Sequence, residues 1–100
     1  MFGLSTETIA EIHGYLAEIP EIDKVLIYGS RAKGNYRLGS DIDLTLIGHH
    51  LTLKNSVYRL EEQVDESCLP YSFDISIFSQ IDNADLLDHI NRVGLVFYER

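Results

Sequence analysis

The sequence has a single cysteine, Cys68, two prolines, one methionine and no tryptophan. A lone cysteine cannot close an internal disulfide, so packing alone must hold the fold, and a reducing compartment is expected. Basic residues are also scarce: eight Lys and Arg stand against sixteen Asp and Glu, a formal net charge of −8. That shortage argues against broad nucleic-acid binding, which needs a cationic surface to displace counterions. It suits a basic protein partner, or a ligand that arrives with its own divalent cations. No apolar run approaches the ~20 residues that span a bilayer. Met1 to Ser5 lacks the basic and apolar stretches of a signal peptide. The expectation is a cytoplasmic protein with no membrane association. Repeats, low-complexity tracts and linkers are missing too.

What remains is an ordinary folded composition, 45% hydrophobic and 24% charged. One hundred residues, taken as one domain over 1–100, leave room for a few helices on one sheet. Ile9, Ile12, Leu16 and Ile19 recur at helical spacing, with Ser5 or Thr6 as cap and Pro20 as stop. Lys24 to Tyr28 is a short apolar run and reads as a buried strand ending at Gly29-Ser30. Asp41 to Ile47 alternates polar and apolar, a strand with Ile42, Leu44 and Leu46 on the core face. Leu53, Val57, Leu60 and Val64 mark a second long helix. Ser72 to Phe78 alternates again, with Phe73, Ile75 and Ile77 on one side. Asp82 and Asp85 open a last helix lined by Leu86, Ile90 and Val93 and closed by Gly94. Leu95 to Tyr98 reads as a final short strand or an interface. The predicted fold is α/β or α+β, a small sheet with helices packed against it.

Chemistry concentrates in two places. Asp41 and Asp43 are two apart on a predicted strand, so both leave the same face, roughly 7 Å apart along it. Two carboxylates so close repel each other unless a positive charge compensates, and a divalent cation is the simplest one. Asp74, on the polar face of another strand, becomes a third acid if the strands pair. Three carboxylates can ligate two hard cations, the arrangement that clamps an in-line phosphoryl or nucleotidyl transfer. Upstream, Gly29-Ser30 sits where a strand turns into a short helix. Glycine admits a phosphate close to the backbone, and the following amides and the serine hydroxyl can bind it. Arg31, Lys33 and Arg37 put three of the eight basic residues within seven positions, a local reversal of sign. Singly, each piece has an ordinary reading: a solvated strand face, a turn, a solvated loop. Their combined order sets them apart.

That order, Gly29-Ser30, ten residues, then Asp41-Ile42-Asp43, resembles the nucleotidyltransferase superfamily typified by DNA polymerase β. It is most similar to the minimal nucleotidyltransferases (MNT) of prokaryotic two-gene modules, with no departure in spacing. The resemblance is specific over Val25 to Ile47 and extends to Phe73-Asp74-Ile75. It implies that Asp41, Asp43 and Asp74 are catalytic residues that ligate two magnesium ions, with manganese as an alternative. It implies that Asp74 draws the proton from the attacking hydroxyl. Gly29 and Ser30 would hold the terminal phosphates of ATP or another NTP, balanced by Arg31 or Lys33. Larger relatives carry an added acceptor-gripping domain, for which this chain has no room. The resemblance therefore implies a partner, a helical HEPN-domain toxin adenylylated on a tyrosine, in a hetero-oligomer, or else a homodimer. Two alternatives stand beside it: a binding-only antitoxin, and transfer to a small molecule.

Other residues carry less. His13 and His89 read as surface or boundary positions on helices. Adjacent His49 and His50 point apart and make a poor zinc pair. Cys68 reads as a small hydrophobe near a helix end. Tyr28 is expected in the core, and Tyr36 beside the phosphate turn is a candidate to stack on a base.

Overall fold

The computed structural model describes residues 1–100. Helix α1 (Thr6–Ala17) starts where expected, with the Ser5 hydroxyl accepting the Thr8 N–H at 3.1 Å. Ile12 and Leu16, four apart on one face, are fully buried. The helix ends at Ala17, two residues short of Ile19, because the chain ahead of Pro20 is pushed out of helical geometry. Strand β1 (Ile22–Tyr28) begins two residues earlier than expected and runs straight into the short helix α2 (Gly29–Lys33).

After a turn come β2 (Ile42–Gly48), a five-residue π-helical turn (Leu53–Val57) and α3 (Tyr58–Glu66). Thr52 and Asn55 start that segment with reciprocal side chain–backbone bonds of 3.0 and 2.9 Å. Strand β3 (Phe73–Ile77), α4 (Ala84–Val93) and β4 (Leu95–Glu99) complete the chain. The terminal apolar run is thus a strand. Four further details differ from expectation. Asp41 lies one residue ahead of β2, and Phe78 leaves β3 for a 3-10 turn. Asn83, not Asp82, caps α4, taking the Asp85 and Leu86 N–H groups at 2.9 and 3.1 Å. Cys68 is exposed in the α3–β3 connection, where it fills no apolar gap.

The sheet order is β3-β2-β1-β4, a mixed sheet. β1 is antiparallel to both β2 and β4, while β2 and β3 are parallel. The parallel pair needs a crossover, which α3 supplies. One sheet face carries Val25, Ile27, Ile42, Leu44 and Leu46, packed with Ile12, Leu16 and Leu60 from α1 and α3. Alternation then sends Leu26 and Tyr28 of β1, Asp43 and Thr45 of β2, and Asp74 and Ser76 of β3 to the other face. On that side α4 packs against α2 and β1, with its Ile90 buried at 1% exposed and its His89 against Tyr28. The second face is therefore only partly covered, and the covered part borders the carboxylates. No helix is long and apolar enough to cross a membrane.

Candidate functional site

Strand pairing places three side chains in one row. Tyr28 of β1 faces Asp43 of β2, and Asp43 faces Asp74 of β3. Neighbouring strands lie about 4.8 Å apart, so the two carboxylates are adjacent across the sheet. Asp41 precedes Asp43 by two residues and is exposed. None of the three aspartates takes a hydrogen bond from a protein donor, and neither of the two ion pairs, His49–Asp23 and Arg92–Asp88, involves them. Behind them, Ser76 donates its hydroxyl to Thr45 at 3.0 Å, so the polar strip continues along the same face.

The electrostatic cost is visible at Asp43. Burial, and then the charges of Asp74 and Asp41, push its carboxyl up to about 6, with Arg31 opposing. The Tyr28 phenol is also raised, chiefly by burial and further by the charges of Asp74 and Asp43. Three oxygen-donor acids with little protein compensation fit a hard divalent cation, which favours carboxylates and keeps waters in its shell. No three His, Cys, Asp or Glu side chains converge into a ready-made metal cage. The expected three-aspartate ligand set is therefore aligned by the strands but not closed, and phosphates and water would have to complete the shell.

Gly29 joins the turn expected to hold phosphate to this row. Its φ is +73°, a left-handed conformation that disfavours any side chain. A Cβ there would overlap Asp43 Oδ2 and stand 3.3 Å from Asp43 Cγ. The bare backbone thus lets the carboxylate lie across the start of α2. Ser30 follows, half-buried, and its hydroxyl makes no bond within the protein. Lys33, at the last turn of α2, is exposed and unpaired.

Arg31 departs from expectation. It is 3% exposed, and its guanidinium donates twice to the Ser40 carbonyl, at 3.1 and 2.9 Å, and once to the Phe2 carbonyl at 3.0 Å. The rings of Tyr36 and Tyr71 lie 5.6 and 5.1 Å from its central carbon. It therefore ties the N-terminus and the loop before Asp41 to α2, and Tyr36 stacks on this cation. The local charge cluster signalled the residue but not its use, because the carbonyls it satisfies lie nine and twenty-nine positions away. Removing it strands two carbonyls, each worth about 1–3 kcal/mol. Arg31→Leu is expected to lower the melting temperature by roughly 10 °C or more, as thermal denaturation would read. An unchanged melting temperature would deny it this holding role.

His89 is the residue that sequence reasoning passed over. The Gly29 N–H donates to His89 Nε2 at 3.3 Å, and the imidazole meets Tyr28 edge-on at 6.1 Å. Its neighbour in sequence, Ile90, gives a reason to expect burial nearby, but nothing local points to a contact sixty positions away. His13, also expected at a boundary, is half-buried and bonds the Phe97 carbonyl at 2.6 Å, far from the acids in sequence and structural in role. The largest cavity, about 440 Å³, is lined by Glu61, Val64, Asp65, Tyr71, Ser72 and Phe73. It includes none of the three aspartates, which stand on a more open surface.

Comparisons with known proteins bear on the fold and the family. The family described as "Polymerase beta, Nucleotidyltransferase" matches residues 10–100. Among curated proteins nothing matches. Among solved structures, a chain of a toxin–antitoxin with AMP-PNP superposes with a TM-score of 0.73 at 16% identity, covering 92% of this chain and 73% of that one. A chain of the MntA–HepT toxin–antitoxin gives 0.69 at 14% identity, over 96% and 74% of the two chains. A chain from the tri-AMPylated Shewanella oneidensis HEPN toxin in complex with MNT antitoxin gives 0.70 at 14%, over 97% and 74%. At such identities these likenesses speak for the fold, whereas the family match spans nearly the whole sequence and takes in every residue of the acid row and the glycine turn. The chain belongs to the polymerase β-type nucleotidyltransferase family and is a nucleotidyltransferase.

Proposed function

We propose that this chain transfers AMP from ATP to a hydroxyl of a partner protein, a tyrosine of a HEPN-domain toxin, and so acts as an antitoxin. The observation that carries the reading is the in-register Asp43–Asp74 pair, without protein partners and set against the Gly29-Ser30 turn. The fold likeness to chains from toxin–antitoxin complexes, one holding an AMPylated HEPN toxin, supports the choice of acceptor.

In this reading the Gly29 and Ser30 amides and the Ser30 hydroxyl hold the outer phosphates, and Lys33 balances their charge. Arg31 acts at one remove, by fixing the Ser40 carbonyl and hence the approach to Asp41. Asp41, Asp43 and Asp74 hold the divalent cations, magnesium foremost and manganese as the alternative. Bound there, the cations neutralise the triphosphate and the charge that develops in transfer. The acceptor oxygen attacks the α-phosphorus, the bond to the β-phosphate oxygen breaks, and pyrophosphate leaves. Asp74, exposed at the edge strand, takes the acceptor proton. Much of the rate comes from holding the two reactants in line. The acceptor itself comes from the partner, and the chain's net charge of −8 favours an electropositive one. The ATP requirement and the unpaired cysteine suit a cytoplasmic hetero-oligomer.

The test incubates the purified chain with magnesium and each α-labelled NTP, with and without a HEPN-domain partner, followed by intact mass. One or more AMP units on the partner are expected, on tyrosine, and only with ATP. Transfer from another NTP would overturn the choice of nucleotide. A tight complex without transfer would favour a binding-only antitoxin.

A further inference from the structure

The Gly29 amide is the first N–H of α2, a group for which the helix itself provides no acceptor. In this structure its acceptor is His89 Nε2, at 3.3 Å. Accepting through Nε2 leaves the proton of the neutral ring on Nδ1. The imidazole is held edge-on to Tyr28, and its helix is fixed by the Asn83 cap and by buried Ile90. A side chain of α4 therefore fills the position from which a phosphate oxygen would accept the same hydrogen.

We propose that His89 is a gate on the phosphate turn: it closes the turn in the free protein, and nucleotide must displace it to bind. The inference rests on the reading of Gly29-Ser30 as the phosphate-holding turn. The direction of exchange follows from charge. A phosphate oxygen is an ionised acceptor and makes a shorter and stronger bond to an amide than a neutral imidazole makes at 3.3 Å. Binding therefore proceeds, but at an affinity reduced by the bond that must first be broken. His89 also sits on the last helix, beside α2 and β1, so anything that shifts α4 alters access to the turn. The gate sets nucleotide affinity and takes no part in the chemistry.

Affinity for magnesium·AMP-PNP, measured by calorimetry on the full chain, tests this with His89→Phe and His89→Ala. Phenylalanine keeps the edge contact with Tyr28 but cannot accept the amide hydrogen, so it separates the gate from packing. Both variants are expected to bind roughly two- to tenfold more tightly than the parent, the size of one weak hydrogen bond. A merely structural role predicts equal or weaker binding. Amide exchange gives a second readout: the Gly29 N–H should lose protection in His89→Phe and leave His89 when nucleotide is added to the parent. Unchanged affinity in His89→Phe, with the Gly29 resonance still moving on nucleotide addition, would overturn the gate alone. A parent chain that binds nucleotide with the Gly29 amide still on His89, or binds none, would overturn the phosphate turn as well.

Discussion

Asp43→Asn is expected to reduce nucleotidyl transfer roughly 10³-fold or more while making the metal-free protein more stable at neutral pH. The two effects have one cause. Asp43 lies in register with Asp74, two residues from Asp41, partly buried and without a protein donor, and these features raise its carboxyl from 3.8 to about 6. The folded chain then holds a proton there more tightly than the unfolded chain does. Below pH 3.8 the group is protonated in both states and costs nothing. Between 3.8 and about 6 it ionises first in the unfolded chain, so its contribution becomes unfavourable, and above about 6 the full penalty applies. The ceiling is about 3 kcal/mol, and screening of a partly exposed group brings it to roughly 1–2 kcal/mol. Asparagine keeps the shape and removes the charge. Melting temperatures of parent and variant should coincide near pH 4, and the variant should melt about 4–15 °C higher near pH 8. Magnesium with ATP should reverse the order at pH 8, because only the parent can use the charge. Full transfer by the variant, or a variant less stable at pH 8, would remove Asp43 from the role given to it.

The second large effect is expected at Gly29. Gly29→Ala must adopt a left-handed φ at about 1–2 kcal/mol, and its Cβ would meet Asp43 Oδ2, with Asp43 Cγ 3.3 Å away. The carboxylate has to rotate off the turn. A displacement of about 1 Å in a positioned group costs on the order of 10²-fold in rate. Gly34 supplies the control. Its φ is +87° and a Cβ there meets nothing within 4 Å, so Gly34→Ala carries the backbone strain without touching the acids. Both variants should lose similar stability, and only Gly29→Ala should lose most of its transfer. Equal activity losses would mean that backbone strain, not the Asp43 contact, governs the rate.

The contrast between these two glycines marks where the sequence was legible. The alternation in Ile42 to Leu46 and the helical spacing of Ile12 and Leu16 assign those residues to the core, because burial on one face follows from the period of the chain itself. The spacing of Gly29-Ser30 and Asp41-Ile42-Asp43 likewise survives any detail of packing, since a strand end, a short turn and a strand start are all local. The sequence singled out Gly29 for its place after a strand, but not its approach to Asp43, which Gly34 does not share.

The sequence by itself determined the order of the elements and the family, and it singled out the acids and the turn proposed to carry the chemistry. These are set by local periodicity and by motifs that span fewer than twenty residues. Tertiary structure decided the rest. Pairing of β2 with β3 put Asp74 beside Asp43, thirty-one positions away. The long reach of a buried guanidinium turned Arg31 from a phosphate ligand into the clasp on Phe2 and Ser40. Packing of α4 across the end of β1 brought His89 to the Gly29 amide. Each of these contacts joins segments whose separation in sequence carries no record of their separation in space, so only the folded chain could reveal them.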